Sequence, residues 1–154
     1  MVIKNMSVVT GLVLLVLLTS FSSVIAVMQE PLRINLFPKN SDWSIIENNA
    51  NGWVNLDWSF KYGNQIEARA LGLKKYTFYT LVYTRVNEKD AGKNTEVYCF
   101  DKKKTNNIGD LKIRTFEFRE STDNLRFWIV LSKDVDCRKN KMIGWNPASY
   151  LFSE

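Results

Sequence analysis

From Val54 onward the chain alternates apolar and polar residues with a period of two, and past residue 26 no stretch carries an apolar stripe at helical spacing. A period of two sends successive side chains to opposite faces of a strand, so the pattern commits the chain to β structure with one face buried. Val54, Leu56, Trp58, Phe60 and Tyr62 alternate with Asn55, Asp57, Ser59 and Lys61, and Ile66, Ala68 and Ala70 alternate with Glu67 and Arg69. Thr77 to Val86 (TFYTLVYTRV) is β-branched and aromatic throughout, as a central strand would be. Three more strands are predicted over Thr95–Phe100, Leu111–Phe118 and Leu125–Leu131, with shorter edge pieces at Arg33–Phe37 and Tyr150–Phe152. Turn-forming clusters separate them at Lys39–Asp42, Tyr62–Asn64, Asp90–Asn94 and Asn106–Asp110. A short helical turn is expected at Ser41–Asn48, capped by Ser41 or Asp42. Seven or eight short strands with turns between them predict an all-β fold, an antiparallel β-sandwich of immunoglobulin or fibronectin kind.

The first 26 residues are of another character. One charge, Lys4, precedes the uncharged run VVTGLVLLVLL, and small residues follow, with Val24 and Ala26 where a signal peptidase reads. This N-terminal hydrophobic helix is either a signal peptide cleaved after Ala26 or a retained membrane anchor, since about 20 apolar residues span a bilayer. Both readings export the remainder, because the lone Lys4 holds the head on the cytoplasmic side. Removing 26 of the 154 residues leaves 128, the size of one domain spanning residues 27–154.

That compartment changes the meaning of the cysteines. Cys99 and Cys137 are the only two, and an even count in an oxidising environment predicts one disulfide. The chain has no histidine. The commonest general base and the commonest zinc ligand are therefore missing, and so is every Ser-His or Cys-His nucleophile pair. With 21 basic and 16 acidic residues the net charge is a mild +5, densest at Lys102-Lys103-Lys104, which reads as a solvated loop. Nucleic acid is not an expected partner of an exported chain with so slight an excess.

Two local patterns refine the picture. Leu71-Gly72-Leu73 followed by Thr77, Tyr79, Leu81 and Tyr83 is similar to the tyrosine corner of fibronectin type III and immunoglobulin-like domains. By that resemblance Tyr79 bonds back across the preceding turn and Gly72 permits it; the plainer reading makes Tyr79 an ordinary core residue. The tail Phe127–Phe152, above all WIVLSKDVDC and GWNP followed by YLF, is the second pattern. With Asn35–Trp43, Gly72–Tyr83 and Gly109–Thr115, it resembles a family of small secreted β-domain proteins of methanogenic archaea. The resemblance implies an exported sandwich and carries no established activity. The stretch TRVNEKDAGKNTEVY departs from that family, which has a Pro- and Gly-rich loop there.

Candidate sites divide by chemistry. Asp134, Asp136 and Asn140 supply oxygen ligands but fall short of the six to eight that calcium takes, and lack its loop spacing. Asp57 and Glu67 resemble a glycosidase pair only in being two carboxylates; their phase is polar and outward, beside Lys61 and Arg69. No catalytic residue, metal or cofactor is expected. Of the five tryptophans, Trp58 and Trp128 fall in buried phase, whereas Trp43 and Trp53 lie near turns where a ring can stack on a sugar. Trp145, in the turn Gly144-Trp145-Asn146-Pro147, is either a plug on the end of the fold or a third stacking residue. The expected function is an exported, non-enzymatic binding or structural protein of the cell envelope. Its loops Val86–Asn94 and Asp101–Gly109 would meet an envelope protein or polysaccharide, and the rival role is a carbohydrate-binding module.

Overall fold

A computed structural model describes residues 31–57, 65–86, 90–116 and 125–153. The expected N-terminal helix, the domain boundary at residue 26, the stretch Trp58–Asn64 and the end of the Leu111–Phe118 strand lie outside these residues. The strands run in chain order as β1 (Leu32–Phe37), β2 (Asn51–Asp57), β3 (Gln65–Leu71), β4 (Phe78–Thr84), β5 (Tyr98–Lys104), β6 (Leu111–Phe116) and β7 (Arg126–Leu131). Two short strands, β8 (Val135–Asp136) and β9 (Lys141–Met142), form a separate hairpin before β10 (Leu151–Ser153).

The chain is all-β and antiparallel among its described residues, but its strands do not divide into two stacked sheets. Hydrogen bonding runs through one eight-stranded sheet in the order β5-β4-β7-β10-β1-β2-β3-β6. The two ends of that order, β5 and β6, are consecutive in sequence and lie against each other, so the sheet curls nearly shut into a barrel. The turn that joins β5 to β6 is laced to itself and to the turn between β3 and β4. Thr105 N–H donates to the Thr77 carbonyl (3.0 Å), Leu73 N–H donates to the Gly109 carbonyl (3.1 Å), and the Asn106 side chain accepts from Ile108 and Asp110 N–H. Gly109 adopts a φ of 92°, and a Cβ there would press into the Leu73 carbonyl oxygen, so only glycine fits the seam.

Register assigns the faces. Val54 sits opposite Ala68, which sits opposite Ile113, and Leu81 sits opposite Ile129, which sits opposite Leu151. These buried residues, with Leu36 and Phe127, fill the interior. On β4, β7 and β10 the opposite face is buried as well: Val82, Trp128, Val130 and Phe152 are all fully covered. The cover is aromatic. Trp43 packs edge-on against Phe152 (5.1 Å), and Trp145 lies 6.0 Å from both Trp43 and Trp128. The β8–β9 hairpin is tied to β5 by the Cys99–Cys137 disulfide, which spans 38 residues.

Four expectations change. The short pieces near Arg33–Phe37 and Tyr150–Phe152 are not edges but neighbours in the middle of the sheet, Phe37 opposite Phe152. The stretch Ser41–Asn48 is not helical. Asp42 turns back to accept from the Ser44 N–H (3.0 Å) and hydroxyl (2.7 Å), a local bond that competes with helix. Trp43 takes a φ of 68° and reaches Phe152, a contact that a helix beginning at Ser41 would not make. Lys102, Lys103 and Lys104 form the end of β5 rather than a loop, and remain exposed, so the loop after them is only Thr105–Asp110. The sandwich expectation gives way to the single curled sheet described above.

Candidate functional site

Four connections at one end of the curled sheet, among them the β1–β2 segment with Pro38, Asn48 and Ala50, enclose a cleft of about 540 Å³, within the size range of small-molecule sites. The β3–β4 turn contributes Gly72, Lys74 and Thr77, the turn after β7 contributes Lys133, and the turn before β10 contributes Asn146 and Ser149. Tyr79, Leu131 and Leu151 line it from the sheet. No carboxylate lines it among the described residues, so two lysines set its charge.

The walls are held by the two tyrosines. Tyr79, second residue of β4, accepts a hydrogen bond from the Lys74 backbone N–H at 3.4 Å. Gly72, two residues before Lys74, opens this turn with a φ of 70°, and a Cβ there would collide with the Asn49 carbonyl. Tyr150 donates to the Asp134 carboxylate (2.7 Å) and accepts from the Asn146 N–H (3.0 Å). Burial pushes both phenols above their ordinary value, and the Asp134 bond pushes Tyr150 further. Both hydroxyls therefore stay protonated near neutrality and serve as fixed struts, not as bases.

The predicted stacking residues separate into two groups. Trp43 and Trp145 are half-buried and spend their rings on one another, on Phe152 and, for Trp145, on Tyr150 at 5.9 Å. Trp53 stands apart, on the outward face of β2, with the Arg33 guanidinium 4.5 Å from its ring centre. Cross-strand register sets Trp53 opposite Asn35 on one side and Arg69 on the other, with Lys112 beyond. The next row runs Arg33, Asn55, Glu67 and Arg114.

The acidic candidates are structural. Glu67 binds Arg69 (2.7 Å), Lys112 (3.4 Å) and Arg114. Burial alone would raise its pKa, but hydrogen bonds from Arg114, Arg69 and Lys112 outweigh that and hold it at about 2. A carboxylate so strongly ionised cannot deliver a proton. Asp57 is exposed and sits across from Gln65, not across from Glu67. Asp136 accepts from the Arg138 and Lys139 N–H groups, Asp134 is engaged by Tyr150, and Asn140 occupies a turn with a φ of 50°. No group of three or more Asp, Glu or Cys side chains that could hold a metal ion occurs among the described residues.

Lys74, Lys133 and the rows around Trp53 escape a reading of the sequence. The outward phase of Arg33, Trp53, Glu67, Arg69, Lys112 and Arg114 is visible in the alternation, but the register that aligns them is not. Compared with known protein families, curated proteins and solved structures, the chain gives no match.

Proposed function

We propose that this is an exported, non-enzymatic binding protein of the cell envelope, with the cleft between its end turns as the ligand site. The observation that carries the reading is the cleft itself: walls fixed by the Tyr79 and Tyr150 hydrogen bonds, with Lys74 and Lys133 and no carboxylate among the described lining residues. Such a site suits a small anion or the anionic end of a larger molecule, held and not transformed. The absence of histidine from the chain supports a role without acid–base chemistry. The signal-like N-terminus and the disulfide support an extracytoplasmic address. Kinship with the secreted archaeal β-domain family belongs to the same reading and rests on the tail motif.

The test is to fractionate the cells that make the protein and take its intact mass. Oxidised protein beginning at Val27 in the medium, or full-length in the envelope, is expected; reduced protein in the cytoplasm would refute the reading. Carbohydrate recognition is a second reading, favoured now by Trp53 alone, since the rings of Trp43 and Trp145 are committed to packing.

A further inference from the structure

We infer that the outward face of β1, β2, β3 and β6 is a docking surface for an acidic polysaccharide, centred on Trp53. The inference rests on the carbohydrate reading and is independent of the cleft. Adjacent strands lie about 4.8 Å apart, so Trp53, Arg69 and Lys112 form a continuous row across three strands, and Arg33, Asn55, Glu67 and Arg114 form the next. Within these two rows four cations face one carboxylate. Glu67 is ionised and shared among Arg69, Lys112 and Arg114, so it neutralises one charge, and Asp57, two residues beyond Asn55 on the same face, offsets a second and leaves an excess of two. The face therefore favours an anionic partner.

The rest of the face says which kind of anion. Trp53 is half-buried, with the Arg33 guanidinium over one face of its ring at 4.5 Å, and the rest of the indole stands at the centre of a charged field. Asn35 and Asn55 flank it in the two rows, and their amides make no side-chain hydrogen bond among the described residues. A sugar acid presents the three matching groups together: a carboxylate for arginine or lysine, hydroxyls for amides, and a C–H face for an indole. A polyanion without hydroxyl-bearing rings would satisfy the cations and leave the amides and the indole unused. Among the described residues Arg33, Asn35, Arg69, Lys112 and Arg114 of this face are exposed, spread over β1, β3 and β6, which suits a chain lying across strands more than a single small molecule.

Full-length protein in neutral detergent is titrated with polygalacturonate, with neutral dextran, poly-glutamate, duplex DNA and phosphatidylglycerol vesicles in parallel. Polygalacturonate should bind, shift tryptophan fluorescence and weaken with salt, each lost cation lowering the log–log salt slope by roughly one. The double variant Arg33→Gln/Lys112→Gln should bind about tenfold more weakly, while Lys102→Gln/Lys103→Gln, which removes equal charge from β5, should bind as the parent does. Trp53→Ala should lose the fluorescence shift. Equal loss in both double variants would overturn the inference, as would tighter binding to poly-glutamate, DNA or vesicles. Dextran binding abolished by Trp53→Ala, with polygalacturonate silent, would overturn it and leave the carbohydrate reading standing. Silence on both glycans would remove the two together.

Discussion

The two halves of the sheet obey different rules. In β3 (QIEARAL) burial alternates strictly between Ile66, Ala68 and Ala70 and their outward neighbours, whereas in β7 (RFWIVL) every residue after Arg126 is buried. The first half, β2, β3 and β6, keeps one wet face and writes it in charge. The second, β4, β7 and β10, is covered outside by Trp43, Trp145 and the disulfide-tied hairpin, and in β7 it reads as an unbroken apolar run after Arg126. Continuous burial removes the period that would announce a face, so the covered half holds more of the stability and less of the visible pattern.

That contrast is open to direct attack. Replacing Trp128, fully buried, by Ala should cost about 4 kcal/mol in urea unfolding, whereas Trp53→Ala on the wet half should cost under about 1. Similar losses would dissolve the distinction between the halves. Trp128 also sharpens it, because its indole N–H has no partner among the described residues. Trp128→Phe loses packing volume and no hydrogen bond, and should cost about half as much as the alanine.

Opening the disulfide tests the cover rather than the sheet. Closing a 38-residue loop contributes about 4 kcal/mol in the chain-entropy model, so Cys99→Ser/Cys137→Ser should lose about 2–4 kcal/mol. Near-ultraviolet circular dichroism should show the loss in the aromatic cover first. At the seam, Gly109→Ala forces a Cβ into the Leu73 carbonyl at a positive φ and should cost about 2 kcal/mol, read as a lowered melting temperature.

The smallest effect belongs to the wet face. The folded pKa of Glu67, about 2, lies below its ordinary 4.5, so its contribution is complete above about pH 4.5 and is lost as pH falls toward 2. Its three partners are each roughly half-exposed, and solvent screening limits that contribution to about 1 kcal/mol. Glu67→Gln should therefore be about 1 kcal/mol less stable at pH 7 and indistinguishable from the parent near pH 2. A difference that persisted at pH 2 would mean that the side chain acts through packing.

The same contrast explains what was legible in the sequence. Val54, Leu56, Ile66, Ala68 and Ala70 declare their inward phase because Asn55, Glu67 and Arg69 stand between them. Burial of Trp128 on a two-sided strand was readable from its neighbours Ile129 and Val130. Trp145 as a plug was one of two readings its turn left open, but the part of Trp43 in the cover was not legible, since its ring reaches Phe152 only after Asp42 has turned the chain. The cleft was invisible for a different reason. Lys74, Lys133 and Asn146 are remote in sequence, and only the curl of the sheet assembles them. The single sheet in place of a sandwich has the same origin, because alternation specifies a buried face and is silent on which strand closes on which.

β10 brings a consequence in time. It is the last strand in chain order, yet it lies between β7 and the first strand, β1. Until Leu151–Ser153 arrive, β5-β4-β7 and β1-β2-β3-β6 meet only at the β5–β6 seam, and β7 and β1 each keep an unpaired edge. Among the described strands, three residues therefore complete the ladder between β7 and β1. Such long-range closure makes for slow, late commitment, with β1 and β7 sticky until the end. Pulsed hydrogen exchange during refolding should show amide protection in β1 and β7 rising together with that of β10; early protection of either edge alone would rule this sequence of events out.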